Sequence, residues 1–183
     1  MVDMPNVMHF RIELDGSRPA IWRRFVVGDS ITFHALHKII QVVMGWEDSH
    51  LYEFSVQGMA LQIPDPDEGG PGKDPRRVRL SDVLKRKGQQ FSYLYDFGDG
   101  WEHTVVLEAV SESGGQKVPR CVGGSMACPP EDCGGLGGYD EMLDIRKNKK
   151  HPEYQETVEW LGEGFDPERF NADAVNKRLA RLG

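Results

Sequence analysis

The sequence predicts an α+β fold: a single roll-like domain on an antiparallel sheet, with a helix after the first hairpin and a helical C-terminal region. Three observations lead there. Runs that alternate apolar and polar residues are joined by short turn signals, the pattern of hairpins. One long stretch in the first half has helical period instead. No strand–helix–strand unit recurs, so a parallel sheet has no support. One domain is expected over residues 1–183, with its core over 7–145 and a helical extension over 146–183.

The elements follow in chain order. In VMHFRIEL, residues 7–14, Met8, Phe10, Ile12 and Leu14 share one side, the period of a half-buried strand. DGSRP turns the chain, and AIWRRFVV, residues 20–27, is a second strand rich in β-branched and aromatic residues. In ITFHALHKIIQVVMGW, Phe33, Leu36, Ile40 and Val43 recur at helical spacing, and Ile39 and Met44 widen the stripe. Ser30 or Thr32 can cap this helix and Gly45 can end it, which places it near 32–44. HLYEFSVQGMALQIP reads as strand, turn at Gly58, strand. DPDEGGPGKDPR holds breakers and charges, the composition of an exposed mobile loop within the domain. LSDVLKRKG predicts a short helix capped by Ser81 and stopped by Gly88. QFSYLYDF and WEHTVVLEAV are two more strands, SESGGQKVP is an exposed turn, and a cysteine-bearing loop follows. YDEMLDIRKN, PEYQETVEWLG and DPERFNADAVNKRLARL read as helical.

Bulk properties narrow the function classes. Hydrophobic residues make up 39% and charged residues 28%, an ordinary globular composition. The net charge of -7 and pI of about 5.4 argue against generic nucleic-acid binding, which needs cations to replace the counterions of phosphates. A local basic patch, Arg76, Arg77, Arg79, Lys85, Arg86 and Lys87, is the exception to weigh. The first sixteen residues lack a basic stretch followed by an apolar run, so no signal peptide is expected. No segment approaches the ~18 consecutive apolar residues of a membrane span. A soluble cytoplasmic protein without membrane partners is expected. No dinucleotide fingerprint, phosphate-binding loop, nucleophile elbow or HExxH motif is present, so nucleotide cofactors and the commoner hydrolase classes have no motif to rest on.

Two stretches carry the candidate chemistry. In YDFGDGWEH, residues 95–103, the Asp99–Gly100 dipeptide suits a two-residue type I′ turn. That register sets Asp96 opposite His103, where a carboxylate would orient the imidazole and fix its tautomer. A three-residue loop, Gly98–Gly100, would instead pair His103 with Tyr95 and send Asp96 to the other face. His34 and His37 are three apart on the predicted helix, a spacing more often found on an exposed face than at a metal. His50 opens the third strand. Cys121, Cys128 and Cys133 lie in one loop at C-x6-C and C-x4-C spacing, which is not that of the common zinc knuckles. Three thiolates with His103 as fourth ligand would complete a tetrahedral zinc shell. The competing reading is a rigid turn, with Pro129 and Pro130 fixing φ and small cysteines filling space.

These motifs in combination resemble the plasmid pRiA4b ORF-3-like family over residues 7 to 145. LHKIIQVVMGWEDSHLYEF carries Leu36, His37, Ile40, Gln41, Trp46, His50, Leu51 and Phe54 of the family pattern. YLYDFGDGWEH carries Tyr95, Asp96, Phe97, Gly98, Asp99, Trp101 and His103, and PRCVGGSMACPPEDCGGLGGY carries Pro119, Cys121, Gly124, Pro129, Pro130, Glu131, Asp132, Gly134, Gly135, Gly138 and Tyr139. The resemblance implies an α+β roll-like domain and no established reaction. It implies an association of some relatives with plasmids or insertion elements. It makes His37, His50, Asp96, Asp99, His103, Glu131 and Asp132 the better candidates for a shared site.

The expected function is a binding or adaptor module for a protein or small ligand, with a polar cleft between the DFGD hairpin and the PPED loop. The alternative is a metal-dependent enzyme of hydrolytic type at the same residues. There His103 and His50 would ligate, and Asp96 or Glu131 would act as base on a bound water.

Overall fold

The computed structural model describes residues 6–65, 67, 69, 70 and 72–182. Of the readings above, the N-terminal five residues and Pro66, Glu68 and Pro71 of the breaker-rich loop lie outside the described residues.

Among the described residues, seven strands form one open sheet: β1 (Asn6–Leu14), β2 (Trp22–Gly28), β3 (Tyr52–Val56), β4 (Met59–Gln62), β5 (Gln90–Tyr95), β6 (Trp101–Glu112) and β7 (Arg120–Ser125). Their spatial order is β4-β3-β5-β6-β1-β2-β7, and every strand pair is antiparallel. Among the described residues, five helices complete the α+β fold: α1 (Phe33–Met44), α2 (Leu80–Val83), α3 (Gly135–Lys147), α4 (Tyr154–Leu161) and α5 (Ala172–Leu179).

The core lies between α1 and one face of the sheet. Met8, Phe10, Ile12 and Leu14 are buried on alternate positions of β1, as the period of two requires. α1 forms where expected. The Thr32 side chain accepts from the Ala35 N–H, and Gly45 ends the helix at φ 124°, its N–H donating to the Gln41 carbonyl. Phe33, Leu36, Ile39, Ile40, Val43 and Met44 are buried, which at about 1.5–3 kcal/mol each amounts to about 9–18 kcal/mol of burial. Phe33 meets Phe54 and Phe91 edge-on, at 5.3 and 5.8 Å between ring centres.

The β5–β6 hairpin departs from both registers considered above. Tyr95 pairs with Trp101, Tyr93 with His103 and Phe91 with Val105, so the loop is Asp96–Gly100 rather than Asp99–Gly100. Its parity is that of the three-residue alternative, with Phe91, Tyr93 and Tyr95 sharing a face with Trp101, His103, Val105 and Leu107. All four of those are fully buried. Slipping by one residue would turn them to the other face, at about 1.5–3 kcal/mol apiece. Holding Asp96 at φ 57° costs about 1–3 kcal/mol, so the core decides the register and the turn adapts.

Three further details differ from expectation. β7 occupies the start of what the sequence reads as a cysteine-bearing loop; its Gly123 and Gly124 hide the strand pattern, yet it pairs with β2 through a bulge at Arg24/Phe25. α2 is not capped by Ser81, which lies inside it. The Asp82 carboxylate accepts from the Arg79 N–H at 3.1 Å, and the helix stops at buried Leu84, well before Gly88. The residues beyond 146 also share in the core, since Leu161 and Leu179 join the same apolar cluster as the sheet.

Both outer strands are covered. Along β4, the Gln62 and Lys73 N–H groups donate to the Lys73 and Ala60 carbonyls. Along β7, the Asn176 side chain of α5 accepts from the Cys121 N–H and donates to the Cys121 carbonyl, both at 2.8 Å.

Candidate functional site

Three loops meet at one end of the sheet: Gly45–Leu51 after α1, Asp96–Gly100 between β5 and β6, and Pro129–Gly134 before α3. Trp46 fixes the first. Its ring is buried against Tyr95, Trp101 and His103, and its Nε1–H donates to the Pro129 carbonyl at 3.2 Å. Asp99 joins the second loop to the third, its carboxylate accepting from the Gly134 N–H. Gly135 lies so near the Asp99 carbonyl that an added Cβ would approach it to 2.4 Å.

A closed ring of hydrogen bonds sets the loop after α1. Gln41 Nε2 donates to the Tyr93 hydroxyl at 3.0 Å, and that hydroxyl donates to His37 Nδ1 at 2.8 Å. His37 Nε2–H then donates to Asp48 Oδ1 at 2.6 Å, and the Asp48 N–H returns to Gln41 Oε1 at 2.8 Å. Lys38 closes on the other Asp48 oxygen. His37 is therefore buried, not on the exposed helix face expected of it, and its ring stacks on Tyr52 at 3.6 Å. Burial holds its imidazole down at about 4 despite the Asp48 carboxylate, so it is neutral at pH 7. Burial pushes Asp48 upward, but bonds from Lys38 and His37 more than offset this and leave it below the usual carboxylate range. His34 faces the Tyr52 hydroxyl at 2.8 Å.

The ring delivers His50 to three carboxylates. Its Nε2 lies 2.8 Å from Asp132 Oδ1, 3.6 Å from Asp96 Oδ2 and 3.9 Å from Glu131 Oε2. None lies in line for a hydrogen bond, so this buried nitrogen and Glu131 Oε2 both stand without one. The other Glu131 oxygen accepts from the Glu47 N–H at 2.8 Å and the Tyr95 hydroxyl at 3.0 Å. Tyr95 in turn accepts from the Ser49 N–H at 3.0 Å. Asp96 is 6% exposed, and its Oδ1 accepts from the Gly98 N–H. Asp48, Asp96 and Asp132 all hold left-handed backbone, at φ 60°, 57° and 54°. Strain of this kind costs about 1–3 kcal/mol per residue and gathers where geometry serves a site.

Among the described residues, one group of three potential ligands has atoms within 4.8 Å of one another: His50, Asp96 and Asp132. A cation bound at about 2.0–2.2 Å spaces neighbouring ligand atoms by about 3–3.6 Å, close to the 2.8 and 3.6 Å that separate His50 Nε2 from Asp132 and Asp96. One imidazole nitrogen with carboxylate oxygens suits zinc or manganese.

The other candidates are placed apart from this group. The Asp96–His103 dyad does not form, because the hairpin register turns His103 inward. Its Nδ1–H donates to the Tyr93 carbonyl at 3.1 Å, Nε2 has no partner, and burial holds the ring at about 4. Cys121, Cys128, Cys133 and His103 do not converge as a ligand set. The thiols are free, and burial raises all three, so they are protonated. Cys121 sits on β7 rather than in a loop, which separates it from the others. In the basic patch, Arg76 is paired with Asp74 at 2.7 Å and Arg77 approaches the same carboxylate at 4.0 Å. Asp48, Tyr95 and Gln41 were missed as parts of the site. The signal was present: His37 and Gln41 interrupt an apolar helix stripe at i, i+4 spacing, where polar residues are buried only with partners.

A family model described as plasmid pRiA4b ORF-3-like protein matches residues 6–174. Uncharacterized protein y4hQ of Sinorhizobium fredii (strain NBRC 101917 / NGR234) is 37% identical over 179 residues, covering 97% of this chain and 92% of that protein. A crystal structure of protein of unknown function MM3350 from Methanosarcina mazei Go1 is 40% identical, with a TM-score of 0.83 over 93% of this chain and 98% of that one. Among the described residues, no helix is long and apolar enough to cross a membrane.

Proposed function

This chain belongs to the plasmid pRiA4b ORF-3-like family, whose name carries no activity, and from that premise we propose that it is a divalent-metal protein whose centre performs metal-assisted hydrolysis. The observation that carries the reading is His50 Nε2, surrounded by three carboxylate oxygens within 3.9 Å and in line with none. His50, Asp96 and Asp132 would hold the ion. Asp132 is exposed and His50 partly so, which leaves room for water on the open side, as catalytic rather than structural sites require. A bound ion would lower the pKa of such a water. Glu131, anchored through Oε1, presents Oε2 as the base that accepts the proton. The free thiols fit a cytoplasmic setting.

Zinc and manganese binding to chelator-washed protein, followed by calorimetry, tests this. One equivalent is expected, with His50→Ala and Asp96→Asn each weakening affinity at least tenfold. Turnover of ester, amide and phosphodiester probes should need the ion and fall about 10²-fold in Glu131→Gln. Absence of metal binding at micromolar concentrations, or turnover indifferent to chelator, sinks the reading.

A second reading is a binding module. It is favoured by Leu51 and Phe97, 61% and 46% exposed, which directly follow His50 and Asp96. It predicts metal binding without turnover, and partner capture lost in Leu51→Ser with Phe97→Ser. An accessory role beside mobile DNA would draw only on the family name and the basic patch.

A further inference from the structure

We propose that the cleft between the end of α1 and the N-terminal end of α5 binds a small organic phosphate. The cleft is an open groove of about 420 Å³, within the range of small-ligand sites. Three arginines line it, Arg23, Arg169 and Arg178, against one acid, Asp166. The lining thus carries +2 in a chain whose net charge is -7.

Arg23 is the unusual member. It is 1% exposed and, among the described residues, forms no ion pair. Its Nε donates to the Val43 carbonyl at 2.9 Å, and Nη1 donates to the Trp22 and Ser125 carbonyls at 2.8 Å each. Nη2 has only the Met44 carbonyl, at 3.5 Å. Of five N–H donors, three are satisfied, one is held loosely and one is spare. The guanidinium lies 4.2 Å from the centre of the Phe170 ring. A buried cation without a counter-charge is costly, and an anion in the cleft would relieve it.

Arg169 and Arg178 stand at the rim, exposed and likewise without an ion pair among the described residues. Asp166 is engaged locally, its Oδ1 accepting from the Glu168 N–H. At the same end, Asn171 caps α5 by accepting from the Ala174 N–H, which leaves the first N–H groups of the helix pointing outward. A phosphomonoester carries about -1.5 to -2 at pH 7 and offers oxygens that guanidinium forks bind in pairs. A carboxylate would cancel only half the charge. Phe170 and Val42 supply apolar wall for the organic part.

Calorimetry on the intact chain at low salt, with AMP, adenosine and inorganic phosphate as probes, decides the matter. AMP should bind at least tenfold more tightly than adenosine, and inorganic phosphate should compete with it. Arg169→Gln with Arg178→Gln should weaken AMP at least tenfold, and Asp166→Asn should strengthen it. These residues are exposed, so the fold is kept, which circular dichroism checks; Arg23 is left intact because three carbonyls depend on it. His50→Ala should leave AMP affinity unchanged, which separates this cleft from phosphate held at a metal. Equal binding of AMP and adenosine overturns the proposal, as does affinity unmoved by the arginine pair or lost in His50→Ala.

Discussion

Acid should unfold this protein earlier than its carboxylates alone would. His37 and His103 are both buried and neutral, each held at about 4 by burial against an ordinary value of 6.5. Because the folded value is the lower one, the unfolded chain takes up the proton first as pH falls. Stability is fully present above about 6.5 and is lost progressively down to about 4. Between pH 7 and pH 5 the linkage gives about 2 kcal/mol per histidine, so about 4 kcal/mol for the pair. That is a large part of the roughly 5–15 kcal/mol that holds a typical domain. Urea unfolding at the two pH values, followed by fluorescence of buried Trp46 and Trp101, measures the difference directly. Replacing one titrating group, as in His103→Gln, should lower stability at pH 7 but remove about half of the pH dependence. A loss of under about 1 kcal/mol in the native sequence, or a His103→Gln variant that keeps the whole dependence, would refute the reasoning.

Two further outcomes test the loop junctions. Gly138→Ala would bring a Cβ within 1.8 Å of the Cys133 carbonyl, a backbone atom that cannot swing aside. It should cost about 3 kcal/mol or more and lower Tm by roughly 6–10 °C in a thermal melt. Gly137→Ala, with nothing within 4 Å, should be neutral or stabilise by up to about 1 kcal/mol. Tyr95→Phe removes the hydroxyl between the Ser49 N–H and Glu131, and should cost about 1–2 kcal/mol and weaken zinc or manganese affinity about tenfold in calorimetry. Unchanged metal affinity in that variant would mean that the loop carrying His50 needs no such anchor.

What could be read in advance follows from whether a signal is local. α1 was legible because cap, stripe and terminal glycine all lie within fourteen residues and agree. β1 was legible because one face is buried and the period shows it. β7 was not, because two of its six residues are glycine and its order comes from pairing with β2, far away in sequence. The hairpin register is hidden for a related reason. Asp99–Gly100 is a local cue, whereas the force that sets the register is the burial of Trp101, His103, Val105 and Leu107, on a strand paired on both sides. The candidate site was half legible. His50, Asp96, Glu131 and Asp132 were singled out as residues, but their meeting depends on three loops from distant parts of the chain. His103 is chemically suggestive as an imidazole, but burial makes it part of the packing.

The Asn176 side chain on β7 has a practical consequence. Its amide presents one acceptor and one donor to Cys121 in the arrangement a neighbouring strand would use, so the last helix impersonates an eighth strand one residue wide. A sheet margin left bare is a template on which further copies can add. A chain cut short before residue 171 would therefore be expected to polymerise or precipitate while its loops 45–51, 96–100 and 129–134 stayed chemically intact. Loss of activity on trimming the C-terminus would then record insolubility, and it would not locate any catalytic group in the removed segment.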